Sequence, residues 1–138
     1  MIHVIAGKKG SGKTKKLIES ANEAVSKSSG NVVVIEKGNT LTYDISHDAR
    51  LIDIEGYGIQ GADALAGFLC GLCAGNYDVT DIFVDSTLKI IGQDLNVLAS
   101  FAKKMDALSS LANVKIALLV SAEKNLLPES IKVVSSVE

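Results

Sequence analysis

Arginine is almost missing from this chain: of its 14 basic residues only Arg50 carries a guanidinium, and the others are lysines. A bidentate clamp on a phosphate or carboxylate therefore has a single possible donor. Histidine and cysteine are equally scarce, with 2 of each. Cys70 and Cys73 make one C-x-x-C without a second pair, and His3 and His47 are both far from it in sequence, so no four-ligand zinc spacing is present. The pair reads as two small apolar thiols on a helix packed against a sheet, because reduced cysteine is among the most buried residue types. No apolar run approaches the roughly 20 residues that cross a bilayer. The nearest, residues 62–74, is broken by Gly67 and Gly71. The opening Met1–Ala6 is too short an apolar run for a secretory leader, which places the expected location in the cytoplasm, away from membrane. Neither sign of charge dominates. With a net charge of −2 and scattered lysines, nothing supports a nucleic-acid partner.

What is present is apolar bulk. At 138 residues and 47% hydrophobic, the chain suits one compact domain over residues 1–138, with no repeat or linker. Ile2–Ala6 reads as a short buried strand, followed by a glycine-rich stretch and a helix from Lys13 to about Ser28, with Leu17, Ala21, Ala24 and Val25 on one face. The cluster Ser26–Asn31 closes that helix, and Val32–Ile35 is a β-branched run typical of a fully buried parallel strand. Between Glu36 and Gly58, Leu41–Ile45 and Leu51–Ile54 both alternate, which predicts a hairpin or a peripheral strand. Leu65, Phe68, Leu69 and Leu72 recur at helical spacing over residues 61–74, and Gly67, Gly71 and Gly75 would let another backbone approach closely.

Ile82–Val84 reads as a third buried strand ending in Asp85, residues 93–111 as an amphipathic helix, and Ile116–Val120 as another buried strand. After Pro128 the pattern predicts a last helical turn and a short strand at Ile131–Val134. Apolar strands alternating with helices predict an α/β fold, a three-layer α/β/α sandwich around a mainly parallel sheet.

Gly7, Lys8, Lys9, Gly10, Ser11, Gly12, Lys13 and Thr14 match G-x-x-x-x-G-K-[ST] at every fixed position, between a predicted strand and a predicted helix. The physical need is plain. A polyphosphate must be wrapped by main-chain N–H groups, and side chains beyond glycine would hold those groups away. Lys13 is expected to reach the β- and γ-phosphates, and Thr14 to offer its hydroxyl to Mg²⁺. Asp85, at a strand end, is expected to hold the same ion directly or through water. Glu123 and Ser121, just past the Ile116–Val120 strand, fall where ligands gather in parallel sheets, and Arg50 could serve as a charge-stabilising finger within its own chain or across an interface. Asp81 falls near the other end of its strand, with a structural role.

On these residues the chain resembles the P-loop NTPase superfamily, with a Walker A segment at Gly7–Thr14 and a Walker B-like strand ending at Asp85. The run Lys13-Thr14-Lys15-Lys16-Leu17-Ile18 is similar to the opening of compact thymidine kinases over about the first third of the chain. A peripheral strand between the two motifs resembles the RecA-like core of motor ATPases. The resemblance implies ATP and Mg²⁺ as cofactors; no N-K-x-D for guanine occurs, and Asp85-Ser86-Thr87-Leu88 lacks the switch glycine of GTPases. In many ATPases of the superfamily a glutamate follows the Walker B aspartate. Here Ser86 does, which points to slow hydrolysis, or to hydrolysis stimulated by a protein partner or by homo-oligomer formation. A nucleoside-type phosphotransferase and a nucleotide-dependent binding module without hydrolysis are the alternatives.

Overall fold

The computed structural model describes all 138 residues. Six strands, β1 (Ile2–Ala6), β2 (Asn31–Glu36), β3 (Arg50–Asp53), β4 (Val79–Val84), β5 (Lys115–Val120) and β6 (Ser135–Val137), form one sheet in the order β3-β2-β4-β5-β1-β6. Every pairing is parallel, so the sheet is parallel throughout rather than mainly so. Five helices connect them: α1 (Lys13–Lys27), α2 (Ala62–Gly75), α3 (Thr87–Ile91), α4 (Leu95–Ala112) and α5 (Glu129–Val134).

Helices cover both faces of the sheet, which is why the strands read as continuous apolar runs. Val33, Ile35, Ile82, Val84, Ile116 and Leu118 point to one side, into a core of 27 buried residues shared with α2, α3, α4 and α5. Val32, Val34, Phe83, Ala117 and Leu119 point to the other, into a cluster of 10 that is closed by Leu17 and Ala21 of α1 and by Leu41 and Ile45. The layers are therefore unequal, with α1 the only helix on its face. It crosses from β1 to β2 over the two strands between them.

The structure corrects four expectations. Residues 40–45 form turns and no strand, so there is no hairpin; Leu41 and Ile45 alternate because they roof the α1 side of the sheet. Only Arg50–Asp53 adds to the sheet, as a peripheral parallel strand. Ile131–Val134 is helical, and the final strand comes one step later at Ser135–Val137. The short helix α3 was hidden by its length of 5 residues, too few to display a period. Cys73 is buried as expected, while Cys70 is exposed.

The fourth correction concerns α2. Side chains built at Gly67, Gly71 and Gly75 would meet nothing, so these glycines face open space and admit no neighbouring backbone. Gly67 lies mid-helix and exposed, where glycine costs backbone entropy without return. Gly67→Ala is accordingly expected to stabilise the protein by about 1 kcal/mol in urea unfolding. A loss of stability would restore the close-approach role.

Candidate phosphate-binding site

The carboxyl ends of all the strands lie along one edge of a parallel sheet, and loops that leave them converge there. β1 delivers the Gly7–Gly12 loop to that edge, and α1 starts from it. The loop is anchored at its root, where the Gly7 amide donates to the carbonyls of Ala122 (2.9 Å) and Val120 (3.3 Å) at the end of β5. It is closed by the Ser11 amide donating to the Lys8 carbonyl at 3.1 Å. Gly10 and Gly12 sit at φ 85° and 88°, in the left-handed region. A Cβ on Gly7 would come within 2.5 Å of Ser11 Oγ. Only glycine fits these three positions without strain or a shift of Ser11.

The start of α1 is built against ordinary helix rules. Gly12 at the N-cap supplies no side-chain acceptor, and the first turn carries no acidic residue. Instead Lys13, Lys15 and Lys16 crowd the end where the helix dipole already concentrates positive charge. The amides of Gly12, Lys13 and Thr14 find no acceptor within the protein. Such an end is short of negative charge and of acceptors, and a phosphate group supplies both. Gly12→Ala is expected to lower stability by about 1–2 kcal/mol through the left-handed backbone alone, read by urea unfolding without ligand.

Lys13 is buried, and its ammonium donates to the Lys8 carbonyl across the loop at 2.8 Å. Burial pushes its pKa down, partly offset by the charge of Asp85. Thr14, beside it, is exposed. Asp85 follows the last residue of β4, separated from β1 by the single strand β5, or about 10 Å of sheet. Its carboxyl is pushed up by burial, against the opposing pull of the Ser86 hydroxyl, Lys89 and Lys13. Ser86 Oγ donates to Asp85 Oδ2 at 3.1 Å, but Oδ1 is buried with no partner.

That orphan oxygen separates Asp85 from the other acids at this edge. Glu36, at the end of β2, accepts from the Thr40 amide and hydroxyl and from the Leu41 amide. Asp53, at the end of β3, accepts from the Gly38 and Glu55 amides. Those two carboxylates tie down turns. Asp85 is left with one acceptor free, and Ser86 after it holds the strained left-handed φ of 54°. Nowhere do three His, Cys, Asp or Glu side chains converge, so a bound cation would need oxygens from its ligand as well as from Asp85 and Thr14. Mg²⁺ is commonly held in that way, by one or two protein groups together with phosphates.

Glu123 is brought to the same edge, where it pairs with Lys8 at 3.3 Å, Lys8 exposed and Glu123 half-buried. Lys16 is drawn sideways to Glu138 at 2.5 Å, and His3 Nε2 meets the same carboxylate at 2.8 Å. Arg50 is not brought there. It opens β3, level with Val33 in mid-sheet, on a strand about 19 Å across the sheet from β1. A role on its own chain's loop is thus out of reach. Sequence reading also gave no role to Lys37 or Gln60, whose meeting with Lys89 depends on how β2, β4 and α3 are arranged.

The two largest clefts, of about 630 and 610 Å³, open at the opposite edge, among Ser28, Asp81 and Lys115 in one case and Asn31, Arg50 and Tyr57 in the other. Lys8, Lys9, Gly10, Ser11 and Gly12 of the loop are exposed. No protein-family model matches the chain, and no curated protein matches it as a relative.

Proposed function

We propose that this chain is a small P-loop protein that binds ATP with Mg²⁺ and hydrolyses it slowly or when a partner completes the site. The observation that carries the reading is the pairing of two deficits at one sheet edge: a glycine loop and helix start lacking acceptors, and a buried aspartate oxygen lacking a donor or cation. A nucleotide–cation complex answers both, the phosphates at the amides and the cation at Asp85.

On this reading the amides of residues 10–14 hold the β-phosphate, and Lys13 leaves the Lys8 carbonyl to meet the terminal oxygens. Mg²⁺, when bound, supplies charge neutralisation between the phosphates. Thr14 and Asp85 are the residues that would hold it. No carboxylate follows Asp85 to orient water, and Glu123 is engaged with Lys8, which supports slow turnover by the isolated chain.

The test is calorimetric titration of the whole chain with a non-hydrolysable ATP analogue, with and without Mg²⁺. Binding strengthened by Mg²⁺ is expected. Absence of binding under both conditions would remove the proposal.

A further inference from the structure

We propose that the cleft between β2, β3 and α2 binds a small zwitterion, an α-amino acid with an apolar side chain, whose carboxylate meets Arg50 and whose ammonium meets Asp48. It opens at the edge of the sheet opposite the Gly7–Thr14 loop and does not depend on what that loop binds.

Strand register makes the cleft. β3 starts level with the middle of β2, Arg50 opposite Val33, so the first residues of β2 have no strand on that side. α2 faces this corner with Phe68 and Leu72, which lie four apart on one side of the helix. The space left is about 610 Å³, a size usual for small-molecule sites. Its walls are largely apolar: Val33 and Ile52 of the sheet are buried, Phe68 and Leu72 are half-buried, and Tyr57 adds a ring that is 67% exposed.

The charged residues reach the cleft from a fixed backbone. The turn before β3 is pinned by α1, where Asn22 accepts from the Ser46 amide at 2.8 Å and donates to the Asp44 carbonyl at 3.0 Å. Ser46 accepts in its turn, from the Asp48 amide at its hydroxyl (3.2 Å) and from the Ala49 amide at its carbonyl (3.0 Å). Asp48 and Arg50 thus stand two residues apart in one cleft, with opposite charges, and do not pair with each other or with any other charged group. The other large cleft differs, because there Glu23 and Lys27 satisfy each other. His47 and Tyr57 complete the ionisable groups around Arg50, and neither is an anion near neutral pH, so Asp48 is the one negative charge of the cleft.

The ligand class follows from that combination. A bare anion would be opposed by Asp48 and a bare cation by Arg50, while a wholly apolar ligand would leave both charges unanswered. A zwitterionic head answers both. The planar guanidinium fork matches a carboxylate with two parallel hydrogen bonds, and an apolar body takes water off Phe68, Leu72 and the Tyr57 ring.

The test titrates L-phenylalanine into the whole chain, without nucleotide, and follows backbone amides by ¹H–¹⁵N NMR. Saturating shifts at Val33 and Leu72 are expected, with a Kd of about 1 mM or below. Arg50→Ala should weaken this binding by about tenfold or more, and Asp48→Asn by about threefold or more. Phenylacetate and phenethylamine each lack one of the two charges and should bind the wild type about threefold or more weaker than phenylalanine does. Loss of Arg50 should leave phenethylamine binding no weaker. No saturable shift at the cleft by about 10 mM phenylalanine would overturn the site, as would wild-type phenylalanine affinity in Arg50→Ala. Arg50 is exposed at the start of an edge strand, so the variant should fold. If it does not, the wild type decides alone: phenethylamine bound as tightly as phenylalanine overturns the carboxylate contact.

Discussion

Lys13→Ala is expected to bind an ATP analogue about 30-fold to several thousand-fold more weakly than the wild type, the consequence of removing one side of a desolvated charge contact worth about 2–5 kcal/mol. The size of the effect comes from burial. In the ligand-free protein the ammonium is already withdrawn from water and satisfied only by the Lys8 carbonyl, so little further desolvation is needed when phosphate takes that carbonyl's place. Folding should survive, because burial without a direct ion pair makes Lys13 a cost to the empty protein and not a support. Unchanged affinity in a folded Lys13→Ala protein would end the nucleotide reading in every form. A Lys13→Arg variant should rescue poorly, since the planar fork is too bulky for a loop where even a Cβ on Gly7 collides with Ser11.

Asp85→Asn should move stability and binding in opposite directions. Removing a buried charge that has an unpartnered oxygen is expected to raise the stability of the ligand-free protein by about 1 kcal/mol or more. The same change should weaken Mg²⁺-dependent analogue binding by about 10–100-fold and metal-free binding far less. The pH dependence fixes the sign. The folded carboxyl is raised above its unfolded value, so its contribution is fully present below the ordinary aspartate range and is lost as pH rises through the raised folded pKa. The stability gap between Asp85→Asn and wild type should therefore be near zero in acid and open toward neutral pH. Urea unfolding of both proteins across that range checks it. A gap that is constant with pH would mean that the folded carboxyl titrates like the unfolded one, so that burial does not disfavour its charge, and the account of Asp85 as a desolvated, under-partnered carboxylate would lose its basis.

Much of the sheet was legible in the sequence for one physical reason: a strand buried on both faces has no polar alternation to confuse it. Val32–Ile35, Ile82–Val84 and Ile116–Val120 each sit inside an observed strand. What failed was local pattern without tertiary context. Leu41 and Ile45 alternate like a strand but are buried by α1 from above, and Ile131, Val133 and Val134 are β-branched yet helical, with Ile131 in the larger core. Glycine spacing in α2 suggested a packing face where the fold leaves open surface.

The site divides in the same way. The loop and Asp85 could be named in advance because each is a contiguous motif or a strand end. That Asp85 keeps a buried oxygen without a partner while both oxygens of Glu36 are engaged could not, since it depends on which turn amides fold back onto which carboxylate. Arg50 was a candidate only through being alone of its kind, and the strand order sends it to the far side. Lys37 and Lys89 are 52 residues apart in the chain and become neighbours only when β2 pairs with β4.

The uneven sandwich has a mechanical consequence. α1 rests on a thin cushion of ten apolar residues, while the opposite side of the sheet is backed by nearly three times as many. Movement at the glycine loop is therefore expected to shift that rod and its roof near Leu41 and Ile45 before the larger layer across the sheet.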